Sequence, residues 1–208
     1  MNENEKSLFR LCSDVNFDKE TALSLIKAVD INKELVEDER YLNIKSTFLS
    51  RASAYANIEM VRLLLENGAD PNFILCADKP LYQENPFWDM QYPVSDDAAE
   101  NETGLQIAQL MLDYGASPAI ELEGEDLFSY VVFGVFNDDR DTSWEYLCRF
   151  LIMLVAYGAS NDYCHPEILK KFDKSYMAQY RLNLVPVGDG YHLTGEITDG
   201  NGEVIAIV

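Results

Sequence analysis

The sequence predicts a mainly α chain: a solenoid of stacked helical pairs that ends in a small C-terminal β-meander. Three observations predict it. An apolar segment is closed by a Gly-Ala corner three times, at Gly68, Gly115 and Gly158, with spacings of 47 and 43 residues. The apolar residues ahead of each corner recur with helical spacing, so each segment has one face that needs a neighbour. Beyond residue 180 the period switches to two, and glycine-rich turns separate the runs.

The composition suits a folded chain. Of 208 residues, 48% are hydrophobic and 25% charged, enough apolar surface to offset chain entropy. Sixteen basic residues face 36 acidic ones, a net charge of −20. Such a surface repels phosphate and carries no Lys/Arg run, which argues against nucleic acid and against anionic membranes as partners. It favours fast encounter with a basic protein. The longest apolar run, Phe150 to Ala156, is far short of the roughly 20 residues that cross a bilayer. Met1 to Lys6 has neither the basic start nor the apolar stretch of a signal peptide. Cys12, Cys76, Cys148 and Cys164 are scattered and form no C-x-x-C pair, so no disulfide framework is expected. The expected compartment is the cytoplasm.

The elements follow in order. A degraded first unit runs through Leu23-Ser24-Leu25-Ile26-Lys27-Ala28 and ends in Val29-Asp30-Ile31-Asn32. The second is the fullest: Val61 to Asn67, then Gly68-Ala69-Asp70-Pro71-Asn72. The third has its second helix over Leu105 to Tyr114, then Gly115-Ala116-Ser117-Pro118. The fourth has a second helix from Trp144 to Tyr157, then Gly158-Ala159-Ser160-Asn161. Glycine just after a helix supplies the left-handed backbone that caps it. The Asp-Pro-Asn and Ser-Pro residues build a turn. One such pair cannot bury its own apolar face, so pairs must stack.

From Thr47 to Asn72 the chain resembles an ankyrin repeat without gaps. Thr47 and Leu49 match that family's Thr-Pro-Leu-His opening, Ala52 the first of its small alanines, and Glu59, Val61, the three leucines and Gly68 to Asn72 its second helix and finger. Phe48 stands for the usual proline, Ser50 for the histidine and Ala56 for the glycine between the helices. Lys79-Pro80-Leu81-Tyr82 is similar to the opening again, and Leu127-Phe128-Ser129-Tyr130 starts the fourth unit. The resemblance covers about residues 5 to 164 and implies about four repeats over 1–164. Residues 165–208 are then a helical cap (Glu167 to Met177) and three short strands, Tyr180 to Val187, Tyr191 to Thr198 and Glu203 to Val208. The resemblance further implies a binding role: another protein held through the concave face, the finger turns and the long insertions.

The third unit carries an insertion near 83–101. The non-repeat segment around it, Leu81 to Asn101, holds Tyr82, Phe87, Trp88 and Tyr92, then the acidic Asp96 and Asp97. Aromatics with a charged rim are what protein interfaces use as anchors. Phe87 and Trp88 have a second reading, as plugs that fold back on the helices and fill the gap left by the insertion. Glu123 and Glu125 occupy a finger position, and Asp138 and Asp139 a lengthened connection; either group also suits a solvated loop. These ten residues are the candidate partner-binding set.

Chemistry leaves little trace. His165 and His192 lack the neighbours of a metal site. Asp199-x-Asn201-x-Glu203 lacks the later glycine and closing glutamate of a calcium loop. No phosphate-binding, dinucleotide or nucleophile-elbow motif occurs. No cofactor or metal and no catalytic residue is expected. The expected function is a protein-binding scaffold for a partner of basic character. The alternative is an immunity or antitoxin protein that neutralises a basic toxin. A further expectation is self-association through the C-terminal strands.

Overall fold

The computed structural model describes residues 1–36, 45–75, 84–91, 98–122, 124–128, 130–131, 146, 149–150, 153–154, 157–159, 182–187, 190–198 and 204–207. The chain divides into two compact units, Met1–Ser117 and Pro118–Val208. Helix is the main structure, with five helices among the described residues.

In the first unit, α1 (Glu3–Cys12) opens with a capping box. The Asn2 side chain accepts from the Glu5 amide at 2.9 Å, and the Glu5 carboxylate accepts from the Asn2 amide at 2.6 Å. The same carboxylate meets Lys33 Nζ at 2.7 Å. Glu5 is buried, and the Lys33 ammonium, with the Asn2 amide, holds its carboxyl below the usual range. Asp18 caps α2 (Lys19–Ile26) through the Thr21 amide. Two short strands, β1 (Leu35–Val36) and β2 (Lys45–Ser46), pair antiparallel. Lys45 and Glu34 form an ion pair beside them.

Thr47 caps α3 (Phe48–Ala54), its hydroxyl accepting from the Ser50 amide at 2.9 Å. Phe48, in the position where the resemblance leads one to expect proline, is fully buried and meets Phe9 of α1 edge-on, centroids 6.4 Å apart. Helix α1 thus lies against both α2 and α3. The Arg51 guanidinium sits over Phe9 at 4.8 Å and over Tyr55 at 4.4 Å, and its Nε donates to Ser13 at 2.7 Å. An arginine held by two rings and a hydroxyl covers apolar surface as well as carrying charge.

Asn57 begins α4 (Ile58–Glu66) and is buried. Its amide nitrogen reaches the carbonyls of Asp14, Cys12 and Leu11 at 2.9, 3.3 and 3.4 Å. Its oxygen accepts from the Met60 amide. One side chain caps α4 and ties the α3–α4 turn to the end of α1. Ala56 just before it is left-handed, with φ 51°. The bonds Asn57 N to Ala52 O and Ala56 N to Ser53 O close the turn, the pattern in which glycine is usual.

Helix α4 buries Met60, Val61, Leu63, Leu64 and Leu65 and lies against α5 (Ala98–Asp113). Helix α5 starts seven residues before the expected Leu105. Residues 98–101, read from the sequence as the end of the insertion, are its first turn. Ala98, Ala99 and Glu100 favour that outcome, two as helix formers and one as an anion at the positive helix end. The earlier part of the insertion forms a 3-10 turn, Trp88–Gln91, against α5.

In the second unit, β3 (Glu121–Leu122) and β4 (Glu125–Asp126) pair antiparallel around Gly124, whose φ is 85°. Leu127, Phe128, Tyr130 and Val131 are helical, as are Tyr146, Arg149, Phe150, Met153 and Leu154. Leu127, Phe150 and Leu154 are fully buried, and Tyr146 stacks on Phe150 at 6.4 Å. Burial pushes the Tyr146 hydroxyl upward. Strands β5 (Leu182–Val187), β6 (Gly190–Thr198) and β7 (Val204–Ile207) pair antiparallel in that order, with a register shift at Ile197/Thr198. Of the expected helical cap, Glu167 to Met177 lies outside the described residues.

Candidate functional site

The corners end in closely similar ways. Gly68, Gly115 and Gly158 have φ of 92°, 90° and 94°. The alanine after each donates to a carbonyl five residues back: Ala69 to Leu64, Ala116 to Met111, Ala159 to Leu154, all at 2.9–3.0 Å. The alanines Ala69, Ala116 and Ala159 are buried. A left-handed residue followed by this long backbone bond satisfies the last helical carbonyls and turns the chain sharply out of the helix. A finger turn follows Gly68-Ala69 and Gly115-Ala116.

Between neighbouring fingers runs a tie that the sequence reading did not assign. Asn32 Nδ2 donates to the Gly68 carbonyl at 2.9 Å, while Asn32 Oδ1 accepts from the Asp70 amide at 2.7 Å. Forty residues on, Asn72 repeats it, donating to the Gly115 carbonyl at 2.9 Å and accepting from the Ser117 amide at 2.7 Å. Each asparagine is aimed by an Asp two residues earlier: Asp30 accepts from the Asn32 amide, Asp70 from the Asn72 amide. The repeated Asp-x-Asn at 30/32 and 70/72 was the available signal.

The inserted segment is anchored by Asn85, which is fully buried. Its amide nitrogen donates to the carbonyls of Pro71 and Phe73 at 3.0 and 3.1 Å. Its oxygen accepts from the amides of Phe87 and Trp88 at 2.9 and 2.8 Å. Both aromatics are thereby drawn inward: Phe87 is 0% exposed and Trp88 8%. Both are buried within the first unit, where the Trp88–Gln91 turn lies against α5.

The other members of the candidate set are placed as follows. Glu125 lies on β4, its backbone opposite Leu122. Tyr82, Tyr92, Asp96, Asp97, Glu123, Asp138 and Asp139 lie outside the described residues, as do His165, Cys76, Cys148 and Cys164. His192 stands opposite Val185 on β6.

The electrostatics are one-sided. From Pro80 to Asp139 the chain has no lysine or arginine. Glu66, Asp70, Glu84, Asp89, Glu100, Asp113 and Glu121 are exposed. Asp89 keeps an edge in solvent, yet the chain packed about its carboxyl pushes it up to about 7, and the charge of Glu84 adds to the effect. Glu84 is itself raised by its surroundings. Cys12 is buried and its thiol is pushed up to about 12, which makes it a poor nucleophile. Among the described residues no group of His, Cys, Asp and Glu is arranged to hold a metal ion. No described helix is long and apolar enough to cross a membrane.

Residues 46–74 match the Ankyrin repeat family model. The match supports an ankyrin-repeat protein, and its span runs from β2 through α3, α4 and the finger turn as far as Phe73 and Ile74. No curated protein matches the chain. The matched repeat departs from its family where packing allows. Phe48 replaces proline and gains Phe9 as a partner. Ser50 replaces histidine and accepts from the Thr47 hydroxyl at 3.0 Å.

Proposed function

We propose that this chain is a non-enzymatic scaffold that binds another protein through its finger turns and the acidic segments beside them. The observation that carries the reading is the ankyrin repeat at 46–74, whose finger is tied on both sides by Asn32 and Asn72. Fingers held in register present their side chains with little ordering cost on binding. The reading extends to a cytoplasmic solenoid of about four repeats over 1–164, with a C-terminal cap and β-meander over 165–208. The partner it suits is basic. The run without lysine or arginine from Pro80 to Asp139 gives an encounter surface of one sign, and such surfaces raise association rates at low salt.

A charge-reversed triple variant, Glu66→Lys with Asp113→Lys and Glu121→Lys, tests this. These side chains are exposed, so melting should hold while capture of the partner in a pull-down falls, most at low salt. Capture unaffected by both reversal and ionic strength overturns the basic partner. The net charge of −20 on a binding scaffold also favours a second reading, an immunity or antitoxin protein that neutralises a basic toxin. Its test is protection of cells that co-express such a toxin; loss of protection with the triple variant supports it, and no protection by either form removes it.

A further inference from the structure

We propose that the chain has two separate unfolding units, Met1–Ser117 and Pro118–Val208, and that the second opens first because the asparagine tie between fingers stops at Ala119. The tie is regular in the first unit. The residue four positions after one corner's glycine, Asn72 after Gly68, donates to the next corner's glycine carbonyl and accepts from the amide two residues beyond. Asn32 stands in the same relation to Gly68 and Asp70. Counted from Gly115, the corresponding residue is Ala119.

Alanine has no amide to give, so the corner at Gly158 receives no such tie from position 119. The backbone of the third finger is of the same kind. Gly115 has the same φ as its counterparts, Ala116 makes the same backbone bond, and Pro118 stands where Pro71 stands in a finger that is tied. The side chains on both sides of the proline change: Ser117 stands where Asp70 aims the tie, and Ala119 where Asn72 makes it. The boundary between the compact units falls beside it, between Ser117 and Pro118. Two hydrogen bonds per corner decide whether adjacent fingers open together, because stacked units are stabilised by intrinsic and nearest-neighbour contributions.

The full chain has two tryptophans, and the boundary separates them: Trp88 before it, Trp144 after. Urea unfolding followed by fluorescence in Trp144→Phe reports the first unit, and in Trp88→Phe the second. The expected result is a Trp144 midpoint below that of Trp88. Asn72→Ala should lower the Trp88 midpoint by about 0.5 M urea, and Ala119→Asn should raise the Trp144 midpoint by a similar amount. Coincident midpoints, or a Trp144 transition above that of Trp88, overturn the two-unit claim. An Ala119→Asn midpoint that does not move overturns the part assigned to the tie.

Trp88 is buried, so its replacement could itself loosen the first unit. Hydrogen exchange of the unsubstituted chain, read by mass spectrometry, removes that difficulty. Peptides from 1–117 should stay protected at urea concentrations where those from 118–208 have exchanged. Equal protection across the boundary overturns the proposal.

Discussion

Two pairs of asparagines tie the first unit together, and they do so under opposite conditions. Asn57 and Asn85 are buried. Asn85 satisfies four backbone groups, and Asn57 caps one helix while gathering carbonyls from the end of another. Asn32 and Asn72 are half-buried and span fingers at the edge of the first unit. The chemistry is the same amide in all four. The difference lies in what replaces it. Water takes over the partners of an exposed amide, whereas buried partners are left with nothing.

The largest effect should follow loss of Asn85. Asn85→Ala removes a partner from two carbonyls and two buried amides, and a cost of about 3 kcal/mol is expected in chemical denaturation. It should also release Phe87 and Trp88, visible as a red shift of tryptophan emission at native conditions. Asn57→Ala loses the α4 cap and the link to Asp14, and should cost about 2 kcal/mol. Asn32→Ala, at the half-buried edge, should cost about 1 kcal/mol or less. If it costs as much as Asn85→Ala, solvent is not the deciding variable and the contrast fails.

Two smaller effects sharpen the picture around the buried pair. Ala56 is held left-handed beside Asn57, a conformation that costs a non-glycine residue about 1 kcal/mol. Ala56→Gly should therefore raise stability by about 0.5 kcal/mol, the relief less the added freedom of the unfolded chain. Asp89 lies in the turn anchored by Asn85. Its carboxyl is raised to about 7 in the folded state, so the protonated form is favoured by folding. Its contribution is greatest below the ordinary aspartate range and is lost as pH rises through 7. Asp89→Asn should flatten the decline in stability between about pH 4 and 7, measured by urea midpoints. An unchanged pH profile shows that the carboxyl is not titrating there.

The helices and corners were legible in the sequence because local physics dictates them. Leu63, Leu64 and Leu65 mark a buried face at helical spacing, and Gly68 and Gly115 are where the backbone turns left-handed. The start of α5 was missed because an acidic run suits both a solvated loop and the first turn of a helix. Phe87 and Trp88 could be read as anchors or as plugs. What draws both inward is Asn85, whose partners at Pro71 and Phe73 are brought to it by the fold and not by local sequence. The finger ties were written in Asp30-Ile31-Asn32 and Asp70-Pro71-Asn72, but their meaning depends on carbonyls nearly forty residues away or more.

Cys12 sits at the end of α1, fully enclosed, with its carbonyl bound by Asn57. A thiol so placed reacts with an alkylating reagent only when α1 lifts from the α3–α4 hairpin. The molecule therefore carries its own stopwatch: the rate at which a maleimide marks this sulfur records how often the N-terminal helix lets go, with no engineered cysteine at that place.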